Sequence, residues 1–418
     1  MRMERDRALS FAGGRRQNQH RCRLVLSRAQ RRGARNHRSH CLLEGRGNWL
    51  MSFARIRHQA DTAPRDMRHM KLLIPLVIAA LLPACSVSES QAMEKPLDGK
   101  VIVIAHRGAS GERPEHTIAA YTLAIEQGAD FIEPDLVLTR DGVLVARHEN
   151  EISETTDVSV KPEFADRKTT KTIDGQQMTG WFTEDFTLAE LKTLRAKERL
   201  PQLRKANMAY DGQYEVPTFE EILELAKKHN VGVYPETKHP SYFASIGLAH
   251  EAPLLALLAK FGLTEKSAPV FIQSFEVENL KAMRRKTNVR LIQLIDEKGS
   301  PPDRADLTYP AMASADGLKA IAAYADGIGP NKALVIPRTI LGNLGEPTSL
   351  VVDAHKAGLA VHPWTFRREN YFLPLAAKSG FNPAAHGDIE SEIRAFANAG
   401  VDGMFSDNPA QAVAATKR

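Results

Sequence analysis

The side chains able to do chemistry are concentrated in residues 101–148 of this 418-residue chain. An apolar run from Val101 to Ala105 reads as a buried strand. It ends at His106, Arg107 and Gly108, where a barrel strand would open onto its loop. A second apolar segment carries Glu133 and Asp135, two residues apart and so on one face of a strand. Two carboxylates side by side in an apolar strand raise each other's pKa unless a cation lies between them, and a hard divalent metal is the economical cation. His148 completes the set, just past Val143 to Ala146. Each piece alone has an ordinary reading, since a lone histidine after a strand usually caps or packs and a lone E-x-D pair is usually a solvated face. Those readings do not explain two histidines, two carboxylates and an arginine converging in one short stretch.

The arrangement closely resembles the glycerophosphodiester phosphodiesterase family, whose motifs run H-R-G, P-E-N/H-T, E-x-D, H-D and E-x-K. Here they stand in the same order as His106-Arg107-Gly108, Pro114-Glu115-His116-Thr117, Glu133-Pro134-Asp135, His148-Glu149 and Glu236-Thr237-Lys238. The similarity covers roughly residues 98–415. One departure is Glu149, a longer carboxylate than the family's aspartate. YADGIGP at 324–330 and VHPWT at 361–365 resemble the longer, exported bacterial branch. The resemblance implies Glu133, Asp135 and Glu236 as metal ligands and Glu115 as a residue shaping the first loop. It also implies a first step in which the glycerol's own neighbouring hydroxyl attacks, giving a cyclic phosphate that water then opens.

Elementary chemistry supports that reading at several positions. Glu133, Asp135 and Glu236 form a hard oxygen set suited to Mg²⁺ or Ca²⁺ rather than zinc. A phosphodiester carries one negative charge. Arg107 offers it a planar fork and Lys238 a point charge, while an ion pair to Glu236 is the other use open to Lys238. His106 and His148 can each give or take a proton near neutrality, one activating the nucleophile and one protonating the departing alcohol; which does which stays open. Phe275 and Trp364 stand where they would contact the glycerol or the head group, or simply pack. The expected reaction is metal-dependent hydrolysis of glycerophosphodiesters, such as glycerophosphocholine or glycerophosphoethanolamine, to sn-glycerol 3-phosphate and an alcohol. A phospholipase-type diesterase acting on intact lipid and a non-catalytic phosphodiester-binding protein are the alternatives. Retention of both histidines argues against the last, because capture needs no proton carrier.

The elements that must position these groups alternate. Strands are expected at 101–105, 130–136, 231–236, 269–273, 289–295, 325–328, 359–363 and 401–405. Helices are expected at 116–127, 218–229, 249–260, 276–286, 316–323, 348–357, 389–398 and 408–416. That is the pattern of an α/β TIM (β/α)8 barrel, with His106, Glu133, Asp135, Glu236, Gln273 and Trp364 at or near strand ends. Residues 149–216 interrupt the alternation as an insertion after the second strand region, with only 187–194 helix-like. Trp181, Phe182, Tyr210 and Tyr214 within it either wall the substrate or pack the insertion onto the barrel.

The net charge of +6 is unevenly spread. Residues 1–66 hold sixteen arginines, no lysine and five acids, a net +11, so the rest of the chain carries −5. This basic stretch lacks a hydrophobic period and is expected to be disordered; the preferred start of the protein is Met67 or Met70, and a nucleic-acid-binding arm is the weaker reading. From Met67 a basic region and an apolar run, Leu72 to Leu82, look like a secretory signal, too short to span a bilayer. Leu82-Pro83-Ala84-Cys85 resembles a bacterial lipobox, despite the unusual Pro83. Residues 67–92 therefore read as a signal and tether, leading either to a lipoprotein anchored through Cys85 or to a soluble periplasmic enzyme cleaved near Ala92. The cysteines, Cys22, Cys41 and Cys85, all precede the expected barrel, so no disulfide forms within it.

Overall fold

The computed structural model describes residues 100–417; the basic segment, the signal-like segment and Cys85 lie outside the described residues. Among those described, no helix is long and apolar enough to cross a membrane.

The first barrel strand, β1 (Ile102–His106), is buried along its whole length, as parallel strands covered on both faces are. The second is interrupted at Pro134 into β2 (Phe131–Glu133) and β3 (Asp135–Leu138), because proline has no N–H to give the ladder. From β3 the chain turns back antiparallel into β4 (Leu144–Ala146). The segment after His148 carries a hairpin of β5 (Thr169–Ile173) and β6 (Gln176–Gly180). The third barrel strand is interrupted in the same way as the second, at Tyr234-Pro235, into β7 (Gly232–Val233) and β8 (Glu236–Thr237). The remaining five are β9 (Phe271–Ser274), β10 (Arg290–Ile295), β11 (Gly327–Pro330), β12 (Ala360–Val361) and β13 (Gly403–Ser406).

Parallel pairing runs β13-β1-β2-β7 in one sheet and β12-β11-β10-β9-β8-β3 in the other. The two runs join because β2 with β3, and β7 with β8, are halves of single strands. Backbone bonds from Asp402 N–H to the Val361 carbonyl (3.0 Å) and from Phe405 N–H to the Pro363 carbonyl (3.1 Å) close the ring between β12 and β13. The fold is a TIM barrel, with helices following its strands. The expected helices at 218–229 and 389–398 are Phe219–His229 and Ile389–Asn398. The first is held by a Thr218/Glu221 capping box and ends at left-handed Asn230.

Inside the ring, Ile102, Ile104, Phe131, Tyr234, Phe271, Ile292 and Phe405 form a separate apolar plug, with Tyr234 4.9 Å from Phe271 and 5.0 Å from Phe405 between ring centroids. Side chains alternate along a strand. Two residues beyond plug members therefore stand His106 after Ile104, Glu133 after Phe131, Glu236 after Tyr234, Gln273 after Phe271 and Asp407 after Phe405. The apolar plug is a floor, and the polar residues are the next layer up, at the C-terminal mouth.

Within the 149–216 segment the structure adds one element and decides between the two uses open to the aromatics. The β5–β6 hairpin was not anticipated, although Asp174-Gly175, both left-handed at φ 48° and 76°, is a strong two-residue hairpin signal. Trp181 and Phe182 are buried, with the Trp181 indole donating to the Phe164 carbonyl at 2.6 Å, and Tyr210 stacks with Tyr214. The aromatics pack the insertion. The insertion meets the mouth instead through Asp174, Arg199, Leu200 and Arg204.

Candidate active site

Strand register sets the site. His106 is level with Glu133 across β1 and β2, Asp135 with Glu236 across β3 and β8, and Glu236 with Gln273 across β8 and β9. Glu133, Asp135 and Glu236 are thereby gathered so that one oxygen from each lies within 4.8 Å of the others, all three buried. The strand interruptions contribute: with no N–H at Pro134 or Pro235, the ladder restarts through their carbonyls, which accept from Glu236 N–H and Gln273 N–H, each at 2.9 Å.

The acids are unequal. Burial, then the charges of Asp135 and Glu236, push the Glu133 carboxyl well above the usual range. Burial likewise pushes Glu236 up to about 8, against the pull of Lys238. Asp135 is held well below the usual range although burial opposes this, because Lys238 and a hydrogen bond from His116 favour its anion. Lys238 Nζ lies 2.7 Å from Glu236 and 3.3 Å from Asp135, so the ion pair foreseen for it is present. Arg107 gives its backbone N–H to Glu133 at 2.8 Å and Nη1 to Glu115 at 2.9 Å. Its Nε is buried 3.3 Å from Asp135, an ion pair without a hydrogen bond.

Each histidine is backed by a carboxylate. His106 Nδ1 meets Asp407 at 2.6 Å, and His148 Nδ1 meets Glu149. The carboxylates fix the proton on Nδ1 and leave Nε2 for chemistry. Burial, then the Arg107 charge, lowers His106 to about 4 and His148 to about 3. Two arginines of the insertion hold the carboxylates in turn. Arg199 spans Glu149 (2.6 Å) and Glu115 (2.7 Å), and Arg204 bonds Asp407 at 2.6 Å. Glu115 is thus shared by Arg107 and Arg199, and Glu149, the departure from the family pattern, still reaches its imidazole.

His106, Arg107, Glu115, Glu133, His148, Glu236, Lys238, Phe275 and Trp364 all line one pocket; Asp135 lies beneath it, fully covered. Phe275 and Trp364 make an edge contact at 5.9 Å. The Trp364 indole donates to the Gly329 carbonyl at 2.8 Å, so that ring is held from behind.

Sequence reasoning passed over four contributors. His116 sits inside a quoted motif without a role; it is fully buried and bridges Asp135 and Tyr121, both at 2.8 Å. Asp407, one residue past β13, carried the strand-end signal that served for the others. Arg199 and Arg204, in a turn-rich stretch far along the chain, carried none.

The model of the "Glycerophosphoryl diester phosphodiesterase family" matches residues 106–411. A glycerophosphodiester phosphodiesterase of Arabidopsis thaliana is 38% identical over 361 residues, covering 81% of this chain and 94% of that protein. One from Haemophilus influenzae is 28% identical over 379 residues, covering 82% and 97%. Among solved structures, an Oleispira antarctica phosphodiesterase in complex with the product sn-glycerol-3-phosphate superposes with a TM-score of 0.50 at 22% identity, covering 76% of this chain and 96% of that one; at that identity the likeness bears on the fold alone. With a plant protein at 38%, the comparisons do not single out an exported bacterial branch.

Proposed function

The chain belongs to the glycerophosphoryl diester phosphodiesterase family and is a glycerophosphodiester phosphodiesterase; from that premise we propose that it uses one divalent ion, Ca²⁺ or Mg²⁺, and two histidines to release sn-glycerol 3-phosphate and an alcohol. The observation that carries this is the buried carboxylate trio, gathered by strand register at the floor of the pocket that both histidines line, with Asp135 just beneath it. The residues fit the ion. Three acids face two cations, Arg107 and Lys238, and two of the three carboxyls are pushed up, a strain that a dication at Glu133, Asp135 and Glu236 relieves. When bound, the ion supplies charge for the phosphoryl oxygens and acidifies the attacking hydroxyl.

Arg107, whose Nε is paired with Asp135 at 3.3 Å but makes no hydrogen bond among the described residues, offers its guanidinium to the diester's anionic oxygen, and Lys238 adds its point charge. His106 and His148 present Nε2, one taking the proton of the attacking hydroxyl and the other protonating the departing alcohol. Their low affinity for protons in the free enzyme suits the first role. The anionic diester raises the partner's affinity for the second. Attack by a hydroxyl within the substrate benefits from a large effective concentration. Export, with Cys85 as lipid acceptor, remains part of the proposal from sequence; metabolic labelling with a fatty acid that survives Cys85→Ser would refute the anchor.

The test is a coupled dehydrogenase assay for sn-glycerol 3-phosphate from glycerophosphocholine and glycerophosphoethanolamine, with and without chelator. Product that disappears on chelation and returns with Ca²⁺ or Mg²⁺ is expected. Undiminished product after exhaustive chelation would refute the metal role.

A further inference from the structure

One wall of the pocket is not used by the chemistry above. It begins where the phosphate-binding side ends: His239 follows Lys238, and Glu276 follows Phe275, whose ring lies 5.9 Å from Lys238 Nζ. There Asp174, His239, Glu276 and Asp296 line the pocket together with Phe275. Asp174 comes from the turn of the β5–β6 hairpin, so the insertion completes this wall. Among the described residues, no lysine or arginine forms an ion pair with Asp174, Glu276 or Asp296, although charged pairs are frequent elsewhere in the barrel. Glu276 takes its hydrogen bonds from Ser241 alone, through N–H and hydroxyl, both at 2.9 Å. Burial, with Asp303 and Asp174 adding to it, pushes its carboxyl up to about 8, the mark of an anion lacking its counter-charge.

A cluster of acids alone says little, and His239 supplies the independent observation. Its ring is 94% buried and its Nδ1 meets Asp174 Oδ2 at 2.7 Å, yet its Nε2 has no hydrogen-bond partner. The Asp174 carboxylate can only accept, so Nδ1 carries a proton, and in the neutral ring Nε2 is an acceptor within a residue that lines the pocket. A buried acceptor without a donor is costly. The backbone at His239 is also left-handed, at φ 50°, a conformation that persists in a non-glycine residue only when its surroundings impose it. What is missing is a donor bearing positive charge.

We propose that this wall is a head-group subsite for an alcohol carrying a primary ammonium. Its N–H groups donate to His239 Nε2 and to the Glu276 carboxylate, while Asp174 and Asp296 add negative charge, with the Phe275 ring alongside. A quaternary ammonium satisfies the charge but gives His239 no hydrogen, and an uncharged polyol satisfies neither. The order of preference is therefore ethanolamine, then choline, then glycerol or inositol as the esterified alcohol. Asp174, His239, Glu276 and Asp296 are specificity-determining residues, distinct from those acting on phosphorus. This rests on the diesterase reading of the same pocket.

The test is kcat/KM for glycerophosphoethanolamine, glycerophosphocholine, glycerophosphoglycerol and glycerophosphoinositol, with the metal-loaded enzyme. The wild type is expected to favour the ethanolamine ester over the glycerol ester at least ~10-fold, one charge-assisted contact being worth about that. Glu276→Gln and Asp296→Asn should each bring that ratio toward unity, and His239→Phe should erase the advantage of ethanolamine over choline. Asp296 is half-exposed, so its variant reports even if removing Glu276 from Ser241 disturbs folding. Similar wild-type rates on all four esters, or variants that lower all four in proportion, would overturn the subsite while leaving the diesterase intact. Hydrolysis of none would overturn the diesterase reading, and the subsite with it.

Discussion

Replacing Arg199 by leucine is the sharpest perturbation the geometry offers, because one side chain ties the insertion to both ends of the catalytic layer. Its guanidinium makes four hydrogen bonds, to Glu115 at 2.7 and 2.8 Å and to Glu149 at 2.6 and 3.1 Å, with only 19% of the side chain exposed. Without it, Glu115 keeps Arg107, but Glu149 keeps only an imidazole that burial holds neutral. Breaking a buried pair by removing one partner typically costs about 3–5 kcal/mol, mostly from the charge left behind. At roughly 2 °C per kcal/mol for a large domain, the unfolding temperature should fall by about 6–10 °C. Scanning calorimetry of wild type, Arg199→Leu and Arg199→Leu/Glu149→Gln measures this. The double variant removes the stranded charge and should recover a good part of the loss, a coupling beyond the ~0.5 kcal/mol expected of independent sites. The single variant should also lose turnover, because nothing then holds Glu149 behind His148. A single variant within ~1 kcal/mol of wild type, or a double variant less stable than the single one, would refute the clamp.

Other consequences follow from the same layer. His106→Ala should lower kcat by ~10²-fold or more with KM nearly unchanged; steady-state kinetics showing near-normal kcat would remove His106 as a proton carrier. Since His106 and His148 are lowered to about 4 and about 3, both are neutral above about pH 5, so the acidic limb of kcat/KM should lie below pH 5 rather than near the ordinary ~6.5; a limb at 6 to 7 would contradict this. Burial pushes Glu198 up to about 7, partly offset by Arg204. Its folded form holds a proton more tightly than its unfolded form, so its contribution to stability is complete below about pH 4.5 and is lost as pH rises through about 7. The unfolding temperature should therefore fall between pH 5 and 8 by the equivalent of roughly 3 kcal/mol, and Glu198→Gln should flatten that slope; equal slopes would refute it.

The barrel was legible because its parallel strands are buried on both faces, leaving apolar runs such as Ile102 to Ala105, and nearly apolar ones such as Leu291 to Ile295, that the alternation of helices frames. Most of the polar layer was legible for a related reason: a charged residue at the end of an apolar strand has little structural excuse. Asp407 met that criterion and was missed, as a residue one step beyond its strand. What the sequence does not display is support arriving from a distance. Arg199 and Arg204 sit among turns and small 3-10 helices, where arginine is commonplace, and only the folded insertion brings them to Glu149 and Asp407. The aromatics of that insertion stand out in sequence for their size, yet the same size sends Trp181 and Phe182 inward. The Asp174-Gly175 turn was readable as a hairpin, but not as a wall of the pocket, because that depends on where the hairpin lands.

Calorimetric titration of Ca²⁺ and Mg²⁺ into metal-stripped wild type and Glu236→Gln tests the carboxylate trio most directly. One ion should bind per chain to the wild type, and the variant, which keeps an amide oxygen but loses the carboxylate charge, should bind at least ~10²-fold more weakly. Wild type that binds neither ion, or a variant that binds as tightly as wild type, would contradict the account.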